Sequence, residues 1–275
     1  MYSRAYVEIT NICNLSCSFC HGHHRPVGEM SEELFLHILD ELAGKTDCVY
    51  YHLMGEPLTH PLLPQFLRHA RARGFRSVIT TNGTLLPERG EELIAAGLYK
   101  ISISVHSLED ASDGEVEHYL RGVAELAVRA AAKGVIVVLR LWNNGFDGGL
   151  NARVERVLKE YFPEPWHTGA RGTRIRERIY LEGGERFAWP DENAPDGGES
   201  VFCYGLRDHF GILVDGTVVP CCLDSEGTIA LGNIKDAPLS EILDSPRACA
   251  MVKGFSERRA SEELCRRCGY ARRFS

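Results

Sequence analysis

The sequence lacks any long apolar run. The longest, at residues 134–139, is far shorter than the ~20 residues that a membrane span requires. The first residues also carry no apolar segment of the kind found in signal peptides. Positive charge is scarce, since 31 Lys and Arg stand against 38 Asp and Glu, a formal net charge of −7. This balance argues against nucleic acid and membranes as partners, and we expect a cytoplasmic protein.

Cysteine, in contrast, is abundant. The chain has 10 cysteines, and a cytosolic protein is not expected to use them as structural disulfides. Cys48 and Cys249 fit the pattern of scattered thiols. The others are clustered near the two ends of the chain, with Cys13, Cys17 and Cys20 close together. For the clustered cysteines, metal binding is the better interpretation.

The first 145 residues alternate strand-like and helix-like segments. Strands are predicted at 6–10, 48–53, 77–81, 101–106 and 135–141, with a weaker sixth at 177–182. Helices are predicted between them, at 32–43, 62–73, 87–96 and 115–133. Strands separated by helices indicate parallel βαβ units and an α/β fold. Six units predict a partial barrel and not a closed barrel of eight.

Polar residues alternate with apolar ones along several strands, and this predicts which side chains face the barrel interior. In the segment 101–106 the apolar side chains share one parity and should pack on the outer helices. The side chains then expected to face inward are Ser102, Ser104, His106, Glu8, His52 and Arg140. So many polar groups favour a ligand cavity over a packed core.

The second half of the chain begins with an acidic stretch rich in Gly and Pro at residues 183–200, which reads as a linker. A hairpin is predicted after it, with strands at 210–214 and 217–220 around the turn Asp215-Gly216. The predicted domains are therefore 1–182, the linker 183–200, and a Cys-rich domain at 201–275.

The segment that follows the first strand has the spacing CxxxCxxC, formed by Cys13, Cys17 and Cys20. Three thiolates on one short loop can hold a compact metal centre. A zinc site completed by one of the histidines at 21, 23 and 24 is one interpretation. An iron-sulfur cubane is the other, and with only three local thiolates it would keep one iron open for a substrate or cofactor.

This motif, with the aromatic Phe19 before its last cysteine, resembles that of the radical SAM superfamily. The resemblance implies that Cys13, Cys17 and Cys20 hold a 4Fe-4S cluster whose open iron binds S-adenosylmethionine (SAM). It also implies reductive cleavage of SAM to a 5′-deoxyadenosyl radical, which abstracts a hydrogen atom from the substrate. An external one-electron donor of the flavodoxin or ferredoxin type is then expected.

Other segments extend the resemblance. The segment Met54-Gly55-Glu56-Pro57 resembles the GGEP element of the superfamily, except that Met replaces its first Gly. Related positions imply contacts to SAM from Phe19, Asn82, Ser104 and Arg140 as well. Arg suits a carboxylate because its planar fork can donate two hydrogen bonds at once.

The C-terminal cysteines resemble those of SPASM and twitch domains, which hold auxiliary iron-sulfur clusters. Cys203 is followed by twelve residues, Gly216, four residues and Cys221, as in the opening of those domains. Cys265 and Cys268 complete a set of four thiolates, the number that a closed cubane requires, although zinc fits the isolated spacing too.

Two details of this set affect the ligand count. Cys222 adjoins Cys221, but neighbouring residues of an extended segment point to opposite sides, and the spacing from Gly216 favours Cys221. The position of the next SPASM cysteine is Phe274. We therefore expect a single auxiliary cluster, hence two 4Fe-4S clusters in all. The fold implied is a partial (β/α)6 radical SAM barrel with a small C-terminal hairpin-plus-helix domain of the twitch or SPASM type.

The layout is similar to that of twitch-type radical SAM dehydrogenases that oxidise a cyclitol alcohol. It implies an oxidoreductase acting on a small sugar or cyclitol alcohol, with the auxiliary cluster as electron acceptor. The candidate general bases are His52, His106 and Glu8. A maturase that crosslinks or epimerises a ribosomal peptide is the alternative. It is less favoured because the first strand starts near residue 6, which leaves no room for an N-terminal peptide-recognition domain. A non-catalytic iron-sulfur electron-transfer protein is a further alternative.

Overall fold

The computed structural model describes residues 1–109, 111–163, 165–170 and 172–274. In this part of the chain eleven strands form one sheet, in the order β11-β10-β9-β1-β2-β3-β4-β5-β8-β7-β6. The strands are β1 (Arg4–Val7), β2 (Cys48–Tyr50), β3 (Arg76–Thr81), β4 (Lys100–Ser104), β5 (Ile136–Asn144), β6 (His167–Gly169), β7 (Gly172–Arg176), β8 (Ile179–Glu185), β9 (His209–Ile212), β10 (Thr217–Val219) and β11 (Gly232–Asn233).

Helices connect the strands on the outside of the sheet. They are α1 (Glu32–Leu42), α2 (Leu63–Ala72), α3 (Leu86–Ala95), α4 (Asp113–Ala132), α5 (Leu150–Tyr161), α6 (Leu239–Leu243), α7 (Pro246–Ser256) and α8 (Glu263–Arg266), with short 3₁₀ helices at Pro57–Thr59 and Ala271–Phe274. Among the described residues, no helix is both long and apolar enough to cross a membrane.

Six neighbouring strands, β1-β2-β3-β4-β5-β8, run parallel. A helix or helices follow each of the first five, so the predicted partial (β/α)6 barrel is confirmed. The apolar positions of these strands pack outward onto the helices, and Ile103 and Leu139, which are register partners, are both 0% exposed. Neighbouring helices also pack on one another, as the stacked rings of Phe35 on α1 and Phe66 on α2 show.

The C-terminal region continues the sheet of the barrel. The predicted hairpin is confirmed, with β9 and β10 antiparallel. Strand β9 pairs in parallel with β1, from Arg4 opposite His209 to Val7 opposite Ile212. The Cys-rich region is thus hydrogen-bonded to the first strand of the barrel, and its thiols are fixed relative to the barrel interior.

Several element boundaries differ from the sequence-based expectation. Strand β1 ends at Val7 because the chain then bends, and Thr10 keeps only an isolated bridge to Glu29. Strand β8 extends to Glu185, into the expected linker. Helix α5 and the hairpin β6–β7 were not predicted. Helix α5 starts after Gly149 without a side-chain cap, so the usual sequence signal for a helix start is missing.

We expect the hairpin to unfold together with the barrel. Phe210 on β9 is 0% exposed, and its ring lies 4.9 Å from that of Tyr2. Phe210→Ala leaves a cavity in the shared core and should lower the free energy of unfolding by about 3–5 kcal/mol. The control Phe146→Ala removes a side chain that is 69% exposed and should change it by less than about 0.5 kcal/mol. Urea unfolding followed by circular dichroism measures both, and equal effects would contradict this packing.

Candidate active site

The loop at residues 13–20, here called the thiol loop, brings three thiols together beyond the end of β1. The backbone N–H of Cys20 donates to the carbonyl of Cys17 at 3.1 Å, which forms a tight turn. Burial, followed by the charges of Cys13 and Cys20, raises the pKa of Cys17 to about 11. The three thiols are therefore close enough to influence one another, and Cys13 and Cys20 are exposed on the outer side.

Contacts from two distant segments hold the thiol loop in place. The thiol of Cys17 contacts the carbonyl of Ser107, just beyond β4. From the expected linker, the Trp189 indole N–H donates to the carbonyl of Phe19 at 3.2 Å. Arg186 donates to the carbonyl of Ser18, also at 3.2 Å. The segment 186–189 therefore fastens the loop, and sequence analysis did not assign it this role.

The turn after β2 approaches the backbone that leads into the thiol loop. Gly55 has φ of +75°, and a β-carbon on it would lie 2.6 Å from the carbonyl oxygen of Thr10. Only glycine tolerates both that conformation and that proximity. The neighbouring Glu56 N–H donates to the carbonyl of Ile12 at 2.8 Å. The resemblance to GGEP therefore has a physical basis in this close approach.

The side chains of this turn serve the structure of the protein itself. The Glu56 carboxylate is buried and accepts hydrogen bonds from the Leu58 N–H, the Thr81 hydroxyl and the Asn82 N–H. Met54 and Pro57 are buried as well. None of the residues from 54 to 57 lines the cavity described below. Contacts from this turn to SAM remain a prediction, and they would have to come from the backbone.

Asn82 ties the turn after β3 to the thiol loop. Its side-chain amide donates to Asn14 at 2.9 Å, and its oxygen accepts from Thr84. Tyr119 on α4 donates to the Asn82 carbonyl at 2.7 Å. These hydrogen bonds occupy the side chain of Asn82. The structure therefore shows a structural role for Asn82, and its expected contact with SAM stays a prediction.

A cavity of about 640 Å³ fills the interior of the barrel. Each of the six parallel strands, or the residues just after it, contributes to the wall, for example through Tyr6, His52, Thr80, Ser104, Arg140 and Glu182. Ser102 and His106 line it too. The inward orientation predicted for Ser102, Ser104, His106, His52 and Arg140 is therefore confirmed. Phe19, from the thiol loop, lines the cavity as well.

Three histidines line the cavity, His52, His106 and His209, and burial lowers the pKa of each. Burial, then the charges of Arg140 and Arg4, lowers the pKa of His52 to about 3. Its Nδ1 is buried without a hydrogen-bond partner in the described structure. Burial also lowers the pKa of His106, whose Nδ1 lies 2.8 Å from the Arg140 carbonyl. A carbonyl only accepts, so this short contact favours a proton on Nδ1 over the longer approach of the Trp142 N–H to the same nitrogen at 3.4 Å, and Nε2 is then the acceptor.

Glu8 is wrongly predicted as an inward-facing group. It does not line the cavity and is 0% exposed. Its carboxylate accepts hydrogen bonds from Arg25 at 2.6 Å, the Met54 N–H at 3.2 Å and the Val214 N–H at 3.0 Å. The alternation of inward and outward side chains does not extend to Glu8, because β1 ends at Val7. Glu8 joins β1, the turn after β2 and the hairpin β9–β10, and it is not available as a general base.

Four C-terminal cysteines, here called the thiol quartet, line the same cavity: Cys203, Cys221, Cys265 and Cys268. A β-carbon on Gly205 would lie 3.7 Å from the Cys203 sulfur and 3.8 Å from the Cys221 β-carbon, so these two side chains are neighbours. Burial, then the charges of Cys203 and Cys268, raises the pKa of Cys265. The quartet is thus a gathered, half-buried set.

Cys221 and Cys222 point in different directions. Burial raises the pKa of Cys221 well above its usual value, and the nearby thiols at 222, 203 and 265 add to this effect. Cys222 instead packs with Tyr6 on the barrel side and is hydrogen-bonded to its hydroxyl. The structure therefore agrees with Cys221 as the fourth member of the quartet.

The two sets of thiols lie at different levels of the barrel. The thiol loop follows the C-terminal end of β1. The quartet is placed by the hairpin. Strand β10 runs antiparallel to β9, with Val219 opposite Gly211. Strand β9 in turn pairs with β1, with His209 opposite Arg4. Cys221, just past β10, therefore returns to the level of Arg4 at the start of β1. The quartet lines the cavity directly, whereas the thiol loop reaches it through Phe19.

The donor sets fit iron-sulfur clusters. All of these cysteines are free thiols, and within each set the charge of one thiol acts on the pKa of another. Within the described ranges, no three His, Cys, Asp or Glu side chains lie close enough to share one metal ion, and soft thiolate ligands suit iron-sulfur clusters.

Comparison with known proteins gives the family. The model of the radical SAM superfamily matches residues 7–143, and that of SPASM, an iron-sulfur cluster-binding domain, matches residues 203–269. The chain belongs to the radical SAM superfamily. Its cofactors are therefore SAM and a 4Fe-4S cluster in the barrel, with auxiliary iron-sulfur in the SPASM domain.

Curated radical SAM relatives match part of the chain. The AdoMet-dependent heme synthase of Methanosarcina barkeri is 37% identical over 120 residues, covering 42% of this chain and 33% of that protein. The tungsten-containing aldehyde ferredoxin oxidoreductase cofactor-modifying protein of Pyrococcus furiosus is 36% identical over 134 residues, covering 46% and 38%. This chain thus matches only about a third of the length of these relatives.

Solved structures match the fold over almost the whole chain. BtrN in complex with AdoMet and 2-DOIA has a TM-score of 0.63 at 20% identity, covering 98% of this chain and 93% of that one. The enzyme anSMEcpe with AdoMet and the peptide Cp18Cys has a TM-score of 0.62 at 14% identity, covering 98% and 89%. At these identities the likeness concerns the fold.

The adjacent pair Cys221 and Cys222 offers a matched test of the quartet. Because only Cys221 faces the other three thiols, Cys221→Ala should reduce the iron of anaerobically reconstituted protein from about eight to about four per chain. Cys222→Ala should keep about eight. Iron and sulfide assays measure this directly. The reverse result, or equal loss in both variants, would contradict the assignment of Cys221.

Proposed function

We propose that this chain is a radical SAM oxidoreductase of the cytoplasm that oxidises an alcohol of a small sugar-like or cyclitol substrate. The auxiliary cluster, a single 4Fe-4S centre held by the quartet, would accept an electron. The observation that carries the proposal is that Phe19 of the thiol loop and the thiol quartet line one cavity, which the substrate would share with both centres.

The size of the cavity supports a small substrate. Its volume of about 640 Å³ lies within the range of pockets that enclose small ligands. SAM must occupy part of this space, near Phe19 and the thiol loop. The remainder suits a compact molecule with several polar groups, because serines, tyrosines, histidines and arginines form the wall.

Cys13, Cys17 and Cys20 would hold the SAM-binding cluster, and Phe19, Ser104 and Arg140 would line the site of SAM. The backbone at residues 54–57 and Asn82 would complete it. When bound, the cluster and SAM together supply the one-electron cleavage that lets a hydrogen atom be removed from a substrate carbon. Cys13 and Cys20 are exposed, so an external donor of the flavodoxin or ferredoxin type can approach there.

After loss of a hydrogen atom, an alcohol becomes a ketone by losing one proton and one further electron. His52 is a candidate to receive the proton, because its Nδ1 is buried in the cavity wall without a partner in the described structure, although a pKa of about 3 makes it a weak base. His106 is a second acceptor through Nε2. The iron-sulfur centre that the quartet would hold would receive the electron, and the half-buried position of the four cysteines would limit the access of water to it.

A peptide substrate is the second candidate. It is favoured by the structural likeness to anSMEcpe bound to a peptide, and the proposed chemistry would then be crosslinking or epimerisation. A non-catalytic electron-transfer role is less favoured, since such a protein would not need the polar cavity.

Substitution of one cysteine in each thiol set tests SAM cleavage and substrate oxidation separately. Cys17→Ala should abolish formation of 5′-deoxyadenosine from SAM, because the barrel cluster loses a ligand. Cys265→Ala should still cleave SAM but stop the oxidation. Liquid chromatography with mass spectrometry detects 5′-deoxyadenosine, and in a panel of monosaccharides and aminocyclitols it detects the loss of two hydrogens.

Cys249→Ala is the matched control, since Cys249 lies outside both sets and is exposed. It should behave like the unmodified enzyme. Full product from Cys265→Ala would refute the electron-acceptor role. Oxidation of no compound in the panel, with modification of a peptide instead, would replace the proposed substrate class by the second candidate.

A further inference from the structure

One end of the thiol loop is held through its backbone by two side chains from the second half of the chain. The carbonyl of Phe19 accepts from the indole N–H of Trp189 at 3.2 Å, and the carbonyl of Ser18 accepts from Arg186, also at 3.2 Å. Both carbonyls belong to the peptide groups that lead directly into Cys20. A peptide group is planar, so a hydrogen bond to its oxygen restricts the orientation of the whole group.

The peptide group between Phe19 and Cys20 is held on both sides. Its oxygen accepts from Trp189, and its N–H, which is that of Cys20, donates to the carbonyl of Cys17 at 3.1 Å. Just beyond Cys20, the ring of His21 stacks on that of Trp189, with the ring centres 5.9 Å apart and the planes at 19°. Trp189 thus contacts the chain on both sides of Cys20, and the backbone there sets the direction of the Cys20 thiol.

The orientation of this peptide group also bears on the wall of the cavity. Phe19 lines the cavity, and its ring centre lies 4.9 Å from that of His106. A rotation of the peptide group after Phe19 would displace this ring as well as the thiol of Cys20. Trp189 is therefore placed to control both a thiol of the first set and the aromatic side chain that reaches the cavity.

Contacts from the barrel hold the earlier part of the thiol loop. Asn82, just after β3, donates to the side chain of Asn14 at 2.9 Å. The N–H of Ser18 donates to the carboxylate of Glu109, beyond β4, at 2.9 Å. The barrel thus holds the loop up to Ser18, whereas Trp189 holds the peptide group that leads into the last cysteine.

The segment that carries Trp189 is itself fixed beside the thiol quartet. The ring of Phe187 packs edge-on against that of Tyr270, with the ring centres 5.0 Å apart. A β-carbon on Gly269 would lie 2.7 Å from the carbonyl oxygen of Ala188, so the backbone just after the last cysteine of the quartet approaches the segment closely. Trp189 therefore joins the thiol loop to a fixed part of the C-terminal region.

We propose that Trp189 is a positioning residue of the SAM site. By holding the peptide group before Cys20, it keeps the Cys20 thiol and the Phe19 ring in the orientation that SAM binding requires, and Arg186 supports it through the preceding peptide group. The proposal rests on membership of the radical SAM superfamily and does not depend on the oxidation of an alcohol.

Direct contact with a bound molecule is the competing role, because Trp189 itself lines the cavity. The two roles differ in what they predict before SAM is added. A positioning residue restrains the thiol loop at all times, whereas a residue that only contacts SAM leaves the empty loop unchanged. The mobility of the loop in the absence of SAM therefore separates them.

Trp189→Phe tests the proposal, since it keeps an aromatic ring but removes the indole N–H. In anaerobically reconstituted enzyme without SAM, hydrogen exchange followed by mass spectrometry should be faster in the peptide that contains residues 18–20 and unchanged in peptides from β4 and β5. Isothermal titration calorimetry with SAM and no reductant should show binding weakened roughly three- to tenfold, because one hydrogen bond is lost.

Trp166→Phe is the matched control. Trp166 is half-buried like Trp189, and its indole N–H also donates to a backbone carbonyl, that of Phe162, at 2.9 Å. It does not line the cavity. This variant should change neither the exchange of residues 18–20 nor the affinity for SAM.

The outcomes are distinct. Faster exchange confined to the thiol loop, together with weaker SAM binding, supports the proposal. Weaker binding with unchanged exchange overturns it, because Trp189 would then contact SAM directly. Unchanged SAM binding overturns it too, as does faster exchange throughout the protein or an equal effect of Trp166→Phe.

Iron content confirms that Trp189→Phe is folded and loaded. Should that variant fail to fold, Arg186→Met removes the hydrogen bond to the Ser18 carbonyl by changing only an exposed side chain. It should then show the same two changes, and unchanged exchange or affinity overturns the proposal. Because no substrate is oxidised in these measurements, failure of the proposed function would not change their results.

Discussion

The parallel pairing of β9 with β1 is the constraint on which the site depends. Strand β1 leads at one end into the thiol loop, and at the other end Arg4 lies opposite His209. Without this pairing, the hairpin β9–β10 would have no fixed position and the thiol quartet no fixed distance from the barrel. Glu8 reinforces the junction, since one buried carboxylate binds Arg25 and the backbone of both Met54 and Val214. A single strand therefore sets the geometry between the two thiol sets.

Burial gives the cavity its electrostatic character. It holds the thiols protonated and the histidines neutral when no metal is bound, as the raised pKa of Cys17 and the lowered pKa of His52 show. Ligation requires thiolates, so cluster assembly must release protons from both sets. The charged groups that remain in the wall are four cations and three acids. The interior thus combines neutral acceptors with charges of both signs, an environment that suits a polar molecule.

Sequence patterns predicted the parts of the site that are local. Alternation along β4 located Ser102, Ser104 and His106, and the cysteine spacing distinguished Cys221 from Cys222, because each depends on a few neighbouring residues. Glu8 was misplaced because strand parity holds only while the strand lasts. The composition of the segment 186–189 is that of a loop, and the sequence therefore predicts a linker there. Its contacts, from Arg186 to Ser18 and from Trp189 to Phe19, span about 170 residues of sequence, and no local pattern carries that information.

The same segment bears on the choice between small and extended substrates. Trp189 fastens the thiol loop, while the ring of Phe187 packs edge-on against Tyr270 at 5.0 Å, next to the quartet. Residues 186–189 therefore bridge the open side of the partial barrel, from one thiol set toward the other. A peptide that passed through this side would have to displace these contacts, whereas a compact molecule would lie beneath them. Because the segment is anchored at both ends, its contacts agree with the compact substrate of the proposed function.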